Sequence, residues 1–368
     1  MITIQTKILE EMSAKAIKGA GFNKLIPITS FVQIQCKKQE LSLITTDGVN
    51  YFKVVNKPVE AEDFIITVNA DLFNKLISKI TTENIDLEIA DENLKIKGNG
   101  NYVLPIPLDE NGKMVEMPTE QFKTEGKAIT IKTSHLKSAL YLNKKALADT
   151  MESPSLTGYY YDIDKIISSD GLVVCQNEKE TFKKPVLLSN TLVDLFESLK
   201  SLEIKVYTKK DGGLLFISED IVIYGIPMEE ITDYPIDVIK NVIDTSFDYT
   251  AKIKTHSLIA SLERLMLFLA DGEALRLAFT DTNLFLDTGA SNAGLESIAY
   301  KDNEEFTDLK TIEIYINAEM LLEQLQVLPG DTVEISFGIK SALKLKADYV
   351  TQIIALVVKD AEDKAGDE

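Results

Sequence analysis

Two histidines, two cysteines and a recurring aspartate are the side chains of this 368-residue sequence whose types suit catalysis or metal binding. His135 and His256 could serve as bases or ligands. They stand 121 residues apart, and no cysteine or carboxylate cluster at metal-binding spacing joins them. Cys36 and Cys175 are too few for a disulfide framework or a zinc site. Cys36 lies between strand residues, with no motif that would lower its pKa. Neither a G-x-x-x-x-G-K-[ST] loop nor a G-x-S-x-G elbow occurs. Asp47, Asp170 and Asp281 come once per third of the chain. Three metal sites could use them, but Asp47-Gly48 and Asp170-Gly171 are explained by turn chemistry. The residues thus point to no catalytic centre, no metal and no cofactor.

The regular feature is spacing. Ile4-Gln5-Thr6-Lys7-Ile8-Leu9, Ile131-Lys132-Thr133-Ser134-His135-Leu136 and Ile253-Lys254-Thr255-His256-Ser257-Leu258 all read Ile-x-Thr-x-x-Leu. They start 127 and 122 residues apart, so each repeat is domain-sized, far longer than a solenoid unit. Each runs into an amphipathic helix, with Thr6 suited to the N-cap. An Asp turn then sits in a hairpin at Asp47-Gly48 and at Asp170-Gly171. In the last third Phe279-Thr280-Asp281-Thr282 stands in its place without the glycine. A second helix starts at a polar cap in each third, at Asn69, Ser189 and Asn317. In the first of these, Leu72, Phe73, Leu76 and Ile80 face inward.

Apolar residues make up 45% of the chain, enough to build real cores. Apolar runs stay under ten residues, well short of the roughly 18 that span a bilayer. The first residues carry no signal pattern. These features predict a soluble intracellular protein without a membrane partner. The net charge of -19 argues against nucleic acid unless the positive groups are gathered on one face. Polar stretches at 119–126 and 240–245 mark boundaries, with Tyr234-Pro235 closing the second repeat. The domains are then 1–122, 126–242 and 247–358, followed by an acidic tail, 359–368, with two Lys against three Asp and two Glu.

Leu25-Ile26-Pro27-Ile28-Thr29-Ser30, then Leu43-Ile44-Thr45-Thr46-Asp47-Gly48, is similar to the first-domain signature of the bacterial DNA polymerase III beta subunit family, the sliding clamps. Ser169-Asp170-Gly171 resembles that family's Thr-Asp-Gly turn, and three tandem repeats match its organisation over residues 1 to about 358. The resemblance implies an α+β fold of three tandem clamp domains, each with two helices packed on antiparallel sheet. It implies two chains closing head to tail into a six-domain ring around duplex DNA, bound without sequence preference. Partners would be the DNA polymerase catalytic subunit, which the clamp keeps processive, and a clamp loader, in the cytoplasm of a bacterial or phage-infected cell.

Carried over residue by residue, the family's peptide groove falls on Leu156, Ser169, Gly171, Leu172, Val174, Pro235, Asn317, Met320, Ile353 and Ile354. The sequence departs from the family where His-Arg would follow the turn, here Leu172-Val173, and where a C-terminal Arg would stand, here Ala355. The subunit joint falls on Tyr102, Leu104, Met266 and Leu267. The helix faces opposite the apolar stripes would meet DNA with Lys7, Lys18, Lys75, Lys137, Lys145 and Arg264, diluted by Asp194, Glu197, Glu319 and Glu323. Such a face would hold a duplex weakly and let it slide. Read without the resemblance, these positions are ordinary solvated helix faces and core packing. A ring tethering transcription or repair factors, a metal-dependent enzyme and a β-rich structural protein stay open as alternatives.

Overall fold

The computed structural model describes residues 2–56, 62–90, 92–150, 152–270, 272–289, 294–300, 311–339 and 341–358. The acidic tail lies outside them. Each third of the chain builds one strand, a helix, four strands, a helix and three strands. The first comprises β1 (Ile2–Gln5), α1 (Thr6–Ala16), β2 (Phe31–Lys37), β3 (Glu40–Thr46), β4 (Tyr51–Asn56), β5 (Phe64–Asn69), α2 (Ala70–Ile77), β6 (Asn84–Ala90), β7 (Asn93–Lys97) and β8 (Asn101–Pro105). The second comprises β9 (Ile129–Lys132), α3 (Thr133–Leu142), β10 (Gly158–Tyr161), β11 (Lys165–Ser169), β12 (Val173–Glu178), β13 (Val186–Ser189), α4 (Asn190–Leu195), β14 (Glu203–Thr208), β15 (Leu214–Ile217) and β16 (Ile221–Gly225), followed by α5 (Ile236–Ile243). The third comprises β17 (Tyr249–Lys254), α6 (Thr255–Leu265), β18 (Ala274–Phe279), β19 (Asn283–Asp287), β20 (Leu295–Ala299), β21 (Ile312–Asn317), α7 (Ala318–Val327), β22 (Thr332–Phe337), β23 (Ala342–Ala347) and β24 (Val350–Ala355).

The Ile-x-Thr signature is the strand-to-helix junction that opens every repeat. Its isoleucine is buried in the strand and its threonine is the first helical residue. The orphan backbone N–H of that threonine donates to a distant loop carbonyl each time: Thr6 to Glu83 at 2.9 Å, Thr133 to Leu202 at 3.0 Å, Thr255 to Asp331 at 2.9 Å. The expectation that Thr6 caps its helix through its hydroxyl is not met. That hydroxyl instead donates to the Thr82 carbonyl at 2.5 Å. Asn69 and Asn317 do cap, each side-chain oxygen accepting the N–H three residues on, from Leu72 and Met320, at 2.9 Å. In α2 the buried stripe is Ala70, Phe73 and Ile77, whereas Leu72 is exposed.

The Asp turns share one geometry. Asp47 accepts from the N–H groups of Val49 and Asn50, and Asp170 from those of Leu172 and Val173. Gly48 and Gly171 sit at φ 102° and 95°, which a Cβ would strain. Their third counterpart is Asp287-Thr288-Gly289, after β19, where Asp287 accepts from the N–H of Gly289 at 3.0 Å. Asp281 lies one hairpin earlier, between β18 and β19, so its proposed equivalence is corrected.

By contacts the chain divides into two units. One joins Met1–Lys137 to Asn190–Pro227, the other Ser138–Ser189 to Met228–Glu368. The first holds an eight-stranded antiparallel sheet, β5-β2-β3-β4-β16-β15-β14-β9, and a four-stranded one, β1-β6-β7-β8. In the second unit the eight strands run β13-β10-β11-β12-β24-β23-β22-β17 and the four run β20-β19-β18-β21. Each eight-stranded sheet is made by pairing one strand from each of two successive repeats. In the first unit β4 pairs with β16, Tyr224 opposite Tyr51; in the second β12 pairs with β24, Ile353 opposite Val174. The larger core of the second unit gathers Leu258 and Leu262 of α6, Leu277 of β18, Leu321 of α7 and Leu345 of β23.

In the first unit, Lys209 follows β14 and is 7% exposed. Its ammonium donates to the carbonyls of Glu120, Gln121 and Lys123 at 2.9, 3.1 and 3.1 Å. The polar stretch read as a boundary is therefore held by a buried cation. Lys209→Met keeps the aliphatic stem and removes the donors, and should cost about 2–3 kcal/mol. Urea unfolding reads this as a lower midpoint at unchanged slope. A loss under about 0.5 kcal/mol would show that the three bonds add little.

Candidate functional site

An apolar groove of about 350 Å³ opens in the second unit. It collects the Leu156 segment, the Asp170-Gly171 turn with β12, helix α5, and the strands β23 and β24. Seven of the ten residues expected of a peptide groove line it: Leu156, Ser169, Gly171, Leu172, Val174, Pro235 and Ile353. Leu156 lies in a short 3-10 turn, Pro154–Thr157, that Pro154 starts, proline's fixed φ suiting a first helical position. The Gly171 conformation lets the chain reverse so that Leu172 protrudes, 57% exposed.

Strand alternation decides the next two positions. Val174 and Ile353 lie opposite each other in register and share a small cluster with Tyr160, Ile167, Tyr234 and Ile239 that floors the groove. Ile354 points to the other face and belongs to the larger core, so its expected place in the groove is corrected. Asn317 and Met320 do not line it either. The Asn317 side chain is engaged in capping α7 and borders a different pocket with Met266 and Leu269. Met320 packs against the larger core.

Helix α5 supplies the wall that the sequence reading omitted. Val238, Ile239 and Val242 line the groove, continued by Thr245 and Phe247. The polar residue types of 240–245 suggest a boundary there instead. The signal was present in Ile236, Ile239, Val242 and Ile243, which recur at helical spacing, with Asp237 in the first turn. Beneath α5, Tyr234 stacks on Tyr160 with ring centroids 4.9 Å apart, and its hydroxyl donates to the Ile167 carbonyl at 3.4 Å. Burial raises the pKa of both phenols, Tyr160 also through Asp162. Cys175 is buried on the other face of β12, where loss of solvent pushes its thiol up to about 12, so it is no nucleophile. No group of three or more metal-binding side chains occurs among the described residues.

The six cations expected to face DNA are all at least partly exposed, and most are already engaged. Lys18 meets Glu197 at 2.8 Å, Lys75 meets Asp71 at 2.7 Å, and Lys145 pairs with Glu323. Arg264 holds Glu296 through two nitrogens, at 2.7 and 2.6 Å. That bidentate bond holds the Glu296 carboxyl below its usual pKa. Lys137 donates to the carbonyls of Glu197 and Leu199 at 3.0 and 3.1 Å. Lys7 is exposed and forms no ion pair among the described residues.

The residues expected at a subunit joint divide by exposure. Leu104 is 3% exposed and its side chain is occupied in its own core, while the neighbouring Val103 points outward from β8. Tyr102 is half-buried, and Met266 packs against the larger core of its unit. Leu267 stands 81% exposed beside the exposed Phe268.

Residues 1–123 match the family model described as DNA polymerase III beta subunit, N-terminal domain. No curated protein matches the chain by sequence. Among solved structures, the chain is similar to the DNA polymerase sliding clamp from Bacillus subtilis, with TM-score 0.84 and 16% identity over 98% of this chain and 99% of that one. The DNA polymerase III beta chain from Streptococcus pneumoniae gives 0.83 and 18% over 98% and 100%. The DNA polymerase III subunit beta from Borrelia burgdorferi, solved in complex with a natural product, gives 0.82 and 19% over 98% and 99%. Residues 1–123 thus match the N-terminal domain of the DNA polymerase III beta subunit family, and 98% of the chain aligns with the fold of a solved sliding clamp.

Proposed function

We propose that this chain is a DNA sliding clamp, a non-catalytic processivity factor. Two copies close head to tail into a ring of six clamp domains, bounded in each chain at 1–122, 126–242 and 247–358. The ring encircles duplex DNA without reading its sequence. Its groove holds an apolar peptide segment of the replicative polymerase and of other clamp-binding proteins, and a loader opens it, in the cytoplasm.

One observation carries this reading. Strands β4, β12 and β20 hold the same place in their repeats, as do β8, β16 and β24. Two joints are made within the chain, β4 with β16 and β12 with β24. The strands left over are β20 and β8, each at the edge of a four-stranded sheet and without a second partner strand among the described residues. An unpaired edge is a template for another strand. Pairing β20 of one copy with β8 of a second would repeat the in-chain joint and complete a third eight-stranded sheet. The exposed Leu267, Phe268 and Val103 would give that joint apolar contacts. The buried Leu104 supports it only from within.

Leu267→Glu and Val103→Glu change exposed side chains, so each should leave the fold intact and convert a dimer to a monomer. Sedimentation velocity at micromolar concentration, with far-UV circular dichroism as the fold control, reads the outcome. A wild-type monomer, or a dimer that ignores both substitutions, would contradict the ring.

Paired cations release few counterions. On short open duplex the binding constant should fall with salt on a log–log slope no steeper than about -4, from two cations in each of two copies. Tight binding with a slope near -10, about that of a repressor making many phosphate contacts, would contradict a grip by enclosure.

A further inference from the structure

We propose that the groove selects peptides whose apolar anchor is flanked by lysine or arginine, because an uncharged channel is set in an acidic surround. The inference rests on the docking role proposed above and names the chemistry of its partner. Among the described residues the channel lining carries no charged side chain. An anchor would therefore be held by apolar contact, and charge could act only on the flanks that leave the channel.

Those flanks cross an acidic border. Residues 235–248 build one wall and include Asp237, Asp244 and Asp248 against the single base Lys240. All three acids are exposed. Lys240 is held by Asp162 at 3.2 Å. Burial pulls its pKa down, but the hydrogen bond to Asp162, with Asp162, Tyr160 and Asp237 around it, carries it above the ordinary value. On the opposite wall Asp170 sits between the lining residues Ser169 and Gly171, and Glu152 is exposed ahead of the Leu156 turn. From the strand side the described bases on β23 are the exposed Lys346 and, reaching a lining residue, Lys344. Lys344 is half-buried, donates to the Thr245 carbonyl at 3.3 Å, and lies over the Phe247 ring beside Asp244. Lys340 lies outside the described residues.

Asp170 and Asp248 adjoin the channel in sequence, whereas Asp237 and Asp244 occupy the far side of α5, roughly a helix diameter of 10 Å away. At that range the acids act as a field over a Debye length of about 8 Å rather than as fixed ion pairs. Where the sequence resemblance would place basic residues on the lining, Leu172 and Ala355 stand instead. Lost bases and gathered acids have the same sign.

Fluorescence anisotropy on the full chain tests this with three labelled peptides. They share a Leu-Val-Leu-Phe core flanked on both sides by Lys-Lys, Ser-Ser or Glu-Glu. The lysine peptide should bind about tenfold tighter than the serine one and the glutamate peptide more weakly still. The gap should close in 0.5 M NaCl. It should narrow severalfold in Asp170→Asn with Asp248→Asn. Leu172→Ser, neutral and exposed, should weaken all three peptides alike. Equal affinities, or a preference for glutamate flanks, with binding still lost in Leu172→Ser, would overturn the charge selectivity and leave the groove standing. No binding by any peptide, or binding that ignores Leu172→Ser, would overturn the docking role and this proposal with it.

Discussion

A sheet edge is a row of backbone N–H and C=O groups that only water or another strand can satisfy. In this chain one repeat, written three times, makes sheets with an edge of one kind at β4, β12 and β20 and of the other kind at β8, β16 and β24. Two of the three possible pairings are closed by the covalent order of the repeats. The third is the one that the proposed ring would make with a second molecule. The proposed function depends on that pairing, because it would turn a linear array into a closed one.

The repeat is defined by polar geometry at its joints more than by its core. Three threonine N–H groups reach a loop carbonyl ahead of the sister strand, which fixes where each first helix leaves its sheet. At the end of the first helix the chemistry diverges. The ends of the first helices present Lys18 and Lys145 to Glu197 and Glu323, and the matching stretch of the third repeat presents Leu267. Ion pairs between exposed side chains contribute little stability and are screened by salt. They do neutralise the faces proposed to meet DNA, so the net charge of -19 and a nucleic-acid partner are compatible. A duplex would be held by topology, with few phosphates fixed at any moment.

Local features were legible in the sequence and distant ones were not. The Asn69 and Asn317 caps and the Asp47 and Asp170 turns are settled within three residues, and the residue types suffice. The Thr6 hydroxyl departs from its expected capping role because its partner, Thr82, is 76 residues away. Asp281 was matched to the wrong hairpin because aspartate serves any turn, and only strand pairing shows that Asp287 is the counterpart. Helix α5 was hidden by Pro235 and by the polar Lys240–Thr245 stretch, although its apolar residues keep helical spacing. The resemblance brought seven groove residues together; Ile354 failed on strand parity, while Asn317 and Met320 are engaged elsewhere.

Retention on DNA of defined topology tests enclosure most directly. After loading onto a nicked circular plasmid and gel filtration in 0.5 M NaCl, the protein should co-elute with the circle, and one restriction cut should release it within minutes. Equal retention on circular and linear DNA, or none on either after loading, would contradict a molecule that holds its duplex by encircling it.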